Sequence, residues 1–172
     1  MKAGFIALLL IGLGVVSAAA QQGKTKVIQM RDGKGDSVGM TVISPAGKGV
    51  SVKLSLKGLT PGKHALHFHQ VAKCEGPDFK SAGAHFNPEN KKHGTQNPEG
   101  PHAGDMMNFT VKKNGTANAT VTDRMVTLSP SGANSLFANG GTALVVHAGA
   151  DDYKTDPAGN AGDRIACGAI MP

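Results

Sequence analysis

Histidine is the residue type whose number and spacing in this sequence suggest chemistry. Seven histidines occur in a chain with one Tyr and no Trp. His67 and His69 stand two apart on a predicted strand, so both side chains point to one side of the sheet and can reach one ion. His85, His93 and His102 follow at spacings of eight and nine. Imidazole is a ligand suited to copper and zinc, so this pattern predicts a metal centre.

A carboxylate completes one of these groups. Asp105 follows His102 by three residues, and three imidazoles with one carboxylate make a closed tetrahedral zinc set. His147 ends another predicted strand. Six of the seven histidines lie at the edges of two long loops or on strands that enter them. For His64 we prefer a solvated surface position or a structural hydrogen bond.

Short strands must position these side chains. Hydrophobic alternation and β-branched runs predict strands at 24–30, 37–43, 50–56, 109–111, 117–121, 125–128 and 143–147. Asn114-Gly115 is a strong signal for a tight hairpin. The 143–147 strand is apolar on both faces, which indicates a central position in the sheet.

The composition agrees with an all-β domain. The 24 Gly and 9 Pro make about a fifth of the 172 residues, without a Gly-X-Y period, which argues against collagen and against a helix bundle. Segments 70–104 and 148–163 lack any periodic pattern, and loops that long in a compact domain are usually functional. We therefore expect a single β-sandwich or barrel with two functional loops.

The first twenty residues have the features of a secretory signal peptide. Lys2 precedes an apolar run from Phe5 to Val16, and small residues at 18–20 precede Gln21. An uncleaved N-terminal anchor is the alternative. Cleavage after residue 20 would leave a domain of 21–172 with no later stretch long enough to cross a membrane.

Export would place the protein in an oxidising periplasmic or extracellular compartment. The two cysteines of the chain, Cys74 and Cys167, should then form one disulfide, with two buried free thiols as the alternative. The mature chain carries a net charge of +5. Because its lysines are scattered and its aromatics are few, nucleic acid is not an expected partner.

Six segments together resemble the copper,zinc superoxide dismutase family. They are His67-Phe68-His69, Ala84-His85-Phe86-Asn87-Pro88, Lys92-His93-Gly94, His102-Ala103-Gly104-Asp105, Leu144-Val145-Val146-His147 with Asp151-Asp152, and 159–168. The resemblance spans about residues 24 to 170 and is closer to exported, bacterial members. It implies an eight-stranded Greek-key β-barrel or sandwich, immunoglobulin-like in architecture, with two long functional loops.

The resemblance also implies one copper ion and one zinc ion per subunit. The copper ligands would be His67, His69, His85 and His147, and the zinc ligands His85, His93, His102 and Asp105. His85 would therefore bridge the two ions. Asp151 corresponds to a carboxylate that links a copper-binding and a zinc-binding histidine, here His67 and His93.

Two further features carry over from the family. Cys74 and Cys167 correspond to its disulfide within one subunit. Arg164 corresponds to the arginine beside the open copper position, and a salt bridge with Asp163 is the alternative for that side chain.

The implied activity is that of an oxidoreductase acting on superoxide. Copper would cycle between Cu(II) and Cu(I), zinc would be structural, and His85 would take up a proton while superoxide becomes dioxygen and hydrogen peroxide. Arg164 and lysines such as Lys154 would attract the anion. The second loop is shorter than in many members, with Ala158 in place of a Thr, so its part in steering is open, as is the choice between monomer and homodimer.

Two non-enzymatic alternatives remain. One is a copper-binding or metal-storage module, since a fold alone does not secure a function. The other is a cationic domain that adheres to surfaces, suggested by a pI of about 9.5.

Overall fold

Antiparallel strands make up most of the structure, a computed structural model that describes residues 23–172. The predicted signal peptide at 1–20 lies outside the described residues. The strands are β1 (Lys26–Asp32), β2 (Ser37–Ala46), β3 (Gly49–Leu56), β4 (Gly62–His64), β5 (Leu66–His69), β6 (Phe109–Val111), β7 (Ala117–Asp123), β8 (Thr142–His147) and β9 (Arg164–Ile170). Two one-turn 3₁₀ helices span Lys80–Ala82 and Ala138–Gly140. Within residues 23–172, no helix has the length and apolar character needed to cross a membrane.

The strands form one curled wall. Seven of them pair in the order β5-β8-β9-β1-β2-β3-β7, and β4 pairs with β6. The turn at Asn114-Gly115 joins β6 to β7, as the hairpin signal predicts, with a hydrogen bond from Lys112 N to Thr116 O of 2.8 Å. β4 and β5 are separated only by Ala65, so one extended segment passes from one sheet to the other. If β4 and β5 are counted as one strand, the described residues form the eight strands that we expect. The predicted all-β fold is confirmed.

Alternation along β5 separates the core from the site. Leu66 and Phe68 pack into the barrel core, whereas the intervening His67 and His69 point to the opposite face. β8 lies between β5 and β9, and all six of its residues are buried, which confirms the predicted central strand. Its Leu144 belongs to the same core.

The strand predicted at 125–128 is absent from the structure. That segment has one isolated bridge, between Thr127 and Ser135. The chain turns where Met125 N donates to Asp123 Oδ1 at 2.8 Å, and Val126 and Leu128 then enter the core. The strand prediction is therefore wrong at 125–128, because an apolar run that is buried in the core can be irregular as well as extended.

The two predicted long loops connect β5 to β6 and β8 to β9. The first loop covers the free edge of β5. Phe86 N donates to Phe68 O at 2.8 Å, and Phe68 N donates to Gly104 O at 3.0 Å. A Cys74–Cys167 disulfide, with a sequence separation of 93, ties this loop to β9 and confirms the predicted pairing.

Candidate metal centre

Four histidines converge on the outer face of β5 and β8. His67, His69, His85 and His147 are buried, and one ring nitrogen of each lies within 4.8 Å of the others. We call this group the strand-side cluster. His85 comes from the first loop and faces His69 across an isolated β-bridge. Because backbone hydrogen bonds hold the first loop against β5, His85 lies beside His67 and His69 of that strand.

Hydrogen bonds at the rear of these rings fix which nitrogen faces inward. His69 Nδ1 donates to Gly83 O at 2.9 Å, and His147 Nδ1 donates to Gly162 O at 3.1 Å. The Nε2 atoms of these two rings are then free of protons and lie 3.4 Å apart. The cluster thus presents lone pairs toward its centre.

A second group shares His85. His85, His93, His102 and Asp105 are buried, and their ligand atoms also lie within 4.8 Å of one another. We call this group the loop-side cluster. Asp105 Oδ1 lies 2.9 Å from His85 Nδ1, 3.1 Å from His93 Nδ1 and 3.3 Å from His102 Nδ1. All four residues of the predicted zinc set therefore lie close enough together to surround one ion.

Asp151 joins the two clusters. His67 Nε2 donates to Asp151 Oδ2 at 2.9 Å, and His93 Nε2 donates to Asp151 Oδ1 at 3.0 Å. The family resemblance implies this same link between His67 and His93 through the Asp151 carboxylate. At Gly159, with φ 64°, a Cβ atom would overlap both Asp151 Oδ1 and His93 Nε2, so only glycine fits over this bond.

Burial keeps the strand-side rings neutral. It lowers the pKa of His85 and that of His147 to about 4. It also lowers the pKa of His69 well below 6.5, and that of His67 despite the opposing bond to Asp151. Neutral imidazole is the form that binds a metal ion, so this cluster is ready to bind at neutral pH.

The loop-side cluster has the opposite electrostatics. Burial would lower the pKa of His93, but the carboxylates of Asp105 and Asp151 raise it to about 9. Burial would raise the pKa of Asp105, but its bonds to His102, His85 and His93 hold that pKa far below its usual range. Without a metal ion, this cluster therefore holds a buried ion pair at neutral pH.

Arg164 opens β9 and is the cross-strand partner of His147. Its Nη1 donates to Phe79 O and its Nη2 donates to Gly83 O, both at 2.7 Å. Within the described residues it has no salt bridge to Asp163, so that alternative is wrong. Phe79 packs in a small core with Cys167 and Cys74, so the disulfide supports the segment that holds the guanidinium group.

Comparison with known proteins agrees with this geometry. A sequence model of the family described as Copper/zinc superoxide dismutase (SODC) matches residues 36–170. Superoxide dismutase [Cu-Zn] 1 of Aquifex aeolicus (strain VF5) is 52% identical over 138 residues, which are 80% of this chain and 82% of that protein. The chain belongs to the copper/zinc superoxide dismutase family. Superoxide dismutation is the function of this family, and copper and zinc are its metals.

Solved structures show the same relationship. The Cu/Zn superoxide dismutase from Brucella abortus has a TM-score of 0.72 at 30% identity and covers 86% of this chain and 100% of its own. A double mutant of a SOD-like protein from Bacillus subtilis has a TM-score of 0.82 at 37% identity, covering 85% and 97%. The predicted family, enzyme class and metals are thereby confirmed.

The residues present fit the two metals of the family. Two buried ring nitrogens, His67 Nδ1 and His85 Nε2, have no hydrogen-bond partner, and a third, His93 Nδ1, lies 3.1 Å from Asp105 Oδ1 without hydrogen-bond geometry. Buried polar atoms without partners are rare in folded proteins and need an explanation. The first two point into the strand-side cluster and the third into the loop-side cluster, where metal ions would be their partners.

Sequence reasoning missed the residues that hold Asp151. Asn108 Nδ2 donates to Asp151 O and Asn108 Oδ1 accepts from Asp151 N, both at 2.9 Å. Tyr153 Oη accepts from Asn108 N at 2.9 Å. The one available signal was composition, because Tyr153 is the only tyrosine in the chain and lies two residues after Asp151.

Proposed function

We propose that this chain is an exported superoxide dismutase whose copper ion is held by His67, His69, His85 and His147. His85, His93, His102 and Asp105 would hold zinc. The observation that carries this assignment is the set of inner nitrogens on His67, His85 and His93 that make no hydrogen bond. The outer nitrogens of His67 and His93 are both bonded to Asp151, so each ring is fixed with one nitrogen available.

His85 is the proposed proton carrier. Its Nδ1 faces the loop-side cluster and its Nε2 faces the strand-side cluster, so one ring can bridge two cations. Copper held there would supply a Cu(II)/Cu(I) couple for the exchange of one electron with superoxide, whereas zinc has no accessible second oxidation state. His85 Nε2 would hold a proton only while it is not bound to the metal ion, and it would donate that proton to the second superoxide. With one more proton from solvent, two superoxide ions give dioxygen and hydrogen peroxide.

Arg164 is proposed to bind the anion. Two carbonyl oxygens fix its guanidinium plane, and its remaining N–H groups can donate to a small anion beside His147. The disulfide and Phe79 would keep this donor in place before substrate arrives. That arrangement supports capture by charge, because superoxide has little shape to recognise.

Export is the proposed route to the working compartment. We propose that residues 1–20 are a cleaved signal peptide and that residues 21–172 are the dismutase domain, periplasmic or extracellular. The charged, apolar and small-residue segments of the N-terminus support this, as does the disulfide, which persists in oxidising compartments.

Metal analysis combined with superoxide dismutation tests the proposal, on the wild type and on His147→Ala after loading with copper and zinc. We expect one copper and one zinc per wild-type chain. His147→Ala should keep zinc, because the loop-side cluster lacks this residue, and its dismutation should fall to the rate of protein-free buffer. If the wild type binds both metals without dismutating faster than buffer, the catalytic assignment fails and the protein is a metal-binding module.

A further inference from the structure

The lysines of this protein are unevenly distributed over the barrel. Residues 37–74 and 106–122 contain none of the twelve Asp and Glu residues. They include β2, β3, β4, β6 and all of β7 except Asp123, which are neighbours in the barrel wall, whereas β5 lies at the opposite end of the seven-stranded sheet and is not part of this surface. Six exposed lysines lie on this part of the wall or in its turns: Lys48, Lys53, Lys57, Lys63, Lys112 and Lys113. We call this surface the lysine face.

The lysine face carries the whole excess charge of the mature chain. Residues 21–172 have 17 basic and 12 acidic side chains. Six of the basic ones belong to the lysine face, which leaves eleven basic and twelve acidic groups elsewhere. The remainder, including the metal centre, is therefore close to neutral, and the field of the protein is concentrated on one side.

The lysines of this face follow β3 and the turns at its two ends, and we call this line of side chains the strip. Lys53 lies in the middle of β3, paired with Val42 on one side and Thr120 on the other. At the end of β3, Leu59 N donates to Gly115 O at 3.3 Å, which brings the loop with Lys57 against the turn with Lys112 and Lys113. Among the described residues, no ion pair engages any of the six lysines.

Acidic groups near the strip do not cancel its charge. The β1–β2 turn carries Asp32 and Asp36 together with Arg31 and Lys34, so it is neutral as a unit. Asp123, at the far end of β7, is buried, and burial raises its pKa to about 7. The strip therefore offers six unneutralised cations to a partner.

A groove of mixed polar and apolar lining lies beside Lys57, at one end of this strip. It has a volume of about 470 Å³ and is lined by Met40, Lys57 and the polar side chains of Ser37, Ser55, Thr116 and Asn118. Hydroxyl and amide groups beside a lysine suit a partner that has both hydroxyl groups and negative charge.

We infer that the lysine face binds a linear acidic polysaccharide, with carboxylate groups on the lysine strip and sugar hydroxyls in the groove. Nucleic acid fits less well, because the strip uses lysine rather than the arginine that reads phosphate bidentately, and its exposed positions include no aromatic side chain to stack bases. A bilayer also fits less well. The wall is curved, and within residues 37–74 and 106–122 of the described chain only two large apolar side chains, Met40 and Met107, are strongly exposed.

Polygalacturonate, a linear carboxylated polysaccharide, is the probe for this inference. Binding to the metal-loaded protein is measured by calorimetry at low and at physiological ionic strength. The face variant is Lys53→Gln/Lys57→Gln/Lys63→Gln. The matched control, Lys24→Gln/Lys34→Gln/Lys73→Gln, removes three exposed lysines elsewhere and has the same net charge.

We expect the wild type to bind and to weaken as salt rises. Each exposed ion pair is worth a factor of about two to five, so the face variant should bind about 30-fold more weakly and the control less than about threefold. Superoxide dismutation should be equal in all three proteins, which separates this inference from the proposed function. Equal weakening in both variants, no binding by the wild type, or tighter binding to duplex DNA or phosphatidylglycerol vesicles would each overturn it.

Discussion

The two metal clusters differ in how they are built. The strand-side cluster takes three of its four rings from β5 and β8, and backbone carbonyls hold two of them from behind. The loop-side cluster takes all its members from one long loop and holds them with the carboxylates of Asp105 and Asp151. The first is therefore positioned by the sheet, and the second by ionic and hydrogen bonds within and between loops.

This difference has an electrostatic consequence. Without metal, the rings positioned by the sheet are neutral, whereas the cluster positioned by carboxylates carries a proton on His93 and negative charge on Asp105. A redox ion on the strand side would be held by neutral donors in a fixed frame. A structural ion on the loop side would replace a proton and would itself order the loop. The contrast therefore matches the different tasks of copper and zinc.

The largest expected effect of this contrast is a difference between zinc and copper in how their affinities depend on pH. His93 is protonated below a pKa of about 9, so zinc must displace a proton, and zinc affinity should rise about tenfold per pH unit, or about 100-fold between pH 6 and 8. The pKa values of His85 and His147, near 4, lie below that interval, so the copper affinity of the zinc-free protein should stay nearly constant across it.

Competition against a chelator of known affinity at each pH measures both slopes. His93→Gln provides the internal check, because the remaining zinc affinity of that variant should lose the steep pH dependence. Parallel slopes for copper and zinc in the wild type would show that the two clusters are not electrostatically different.

The sequence predicts the strand-side cluster more completely than its supports. The alternation of Leu66 and Phe68 with His67 and His69 follows from the two-residue period of a strand, and the structure shows it. The histidine spacings and the family resemblance likewise name every member of both clusters. The spacing could not show that Gly94 N and His102 N would donate to Asp105 Oδ2 and so close the loop around these rings, since that depends on the tertiary path of the chain.

The missed features share one cause. The carbonyl oxygens of Gly83 and Gly162 reach their histidines through backbone path alone, which residue type does not encode. Asn108 looks like part of a nominal glycosylation triplet with Thr110, yet its amide is bonded to the backbone of Asp151. The run at 125–128 fails as a strand for a similar reason, because a side-chain bond from Asp123 turns the chain there.

Removing the charge that links the clusters should weaken the loop side more than the strand side. In Asp151→Asn the amide can no longer accept from both His67 and His93, and loss of such an outer partner typically lowers metal affinity by about 10–100-fold. We expect zinc affinity to fall by about 100-fold and copper affinity by about tenfold, because β5 still positions His67. Chelator competition with each metal measures the difference.

Asp152→Asn is the matched control for that change. The Asp152 carboxylate is exposed and bonds to Thr155 and Asn160 within its own loop. The control should leave both affinities unchanged. An equal loss of copper and zinc in Asp151→Asn would contradict the distinction between a sheet-positioned and a carboxylate-positioned cluster.

The smallest expected effect concerns the hydroxyl group of Tyr153, which bonds to Asn108 N behind Asp151. Tyr153→Phe removes one hydrogen bond, worth about 1 kcal/mol, and so should speed zinc release to a chelator about fivefold with little effect on copper. The absorption spectrum of cobalt placed in the loop-side cluster should shift as well, since ring orientation changes when Asp151 is less firmly held. Thr155→Val, which removes a hydroxyl from the same loop without touching Asp151, should change neither reading. If Tyr153→Phe lowers thermal stability but leaves zinc release and the cobalt spectrum as in the wild type, the tyrosine supports the fold and does not position the loop-side ligands.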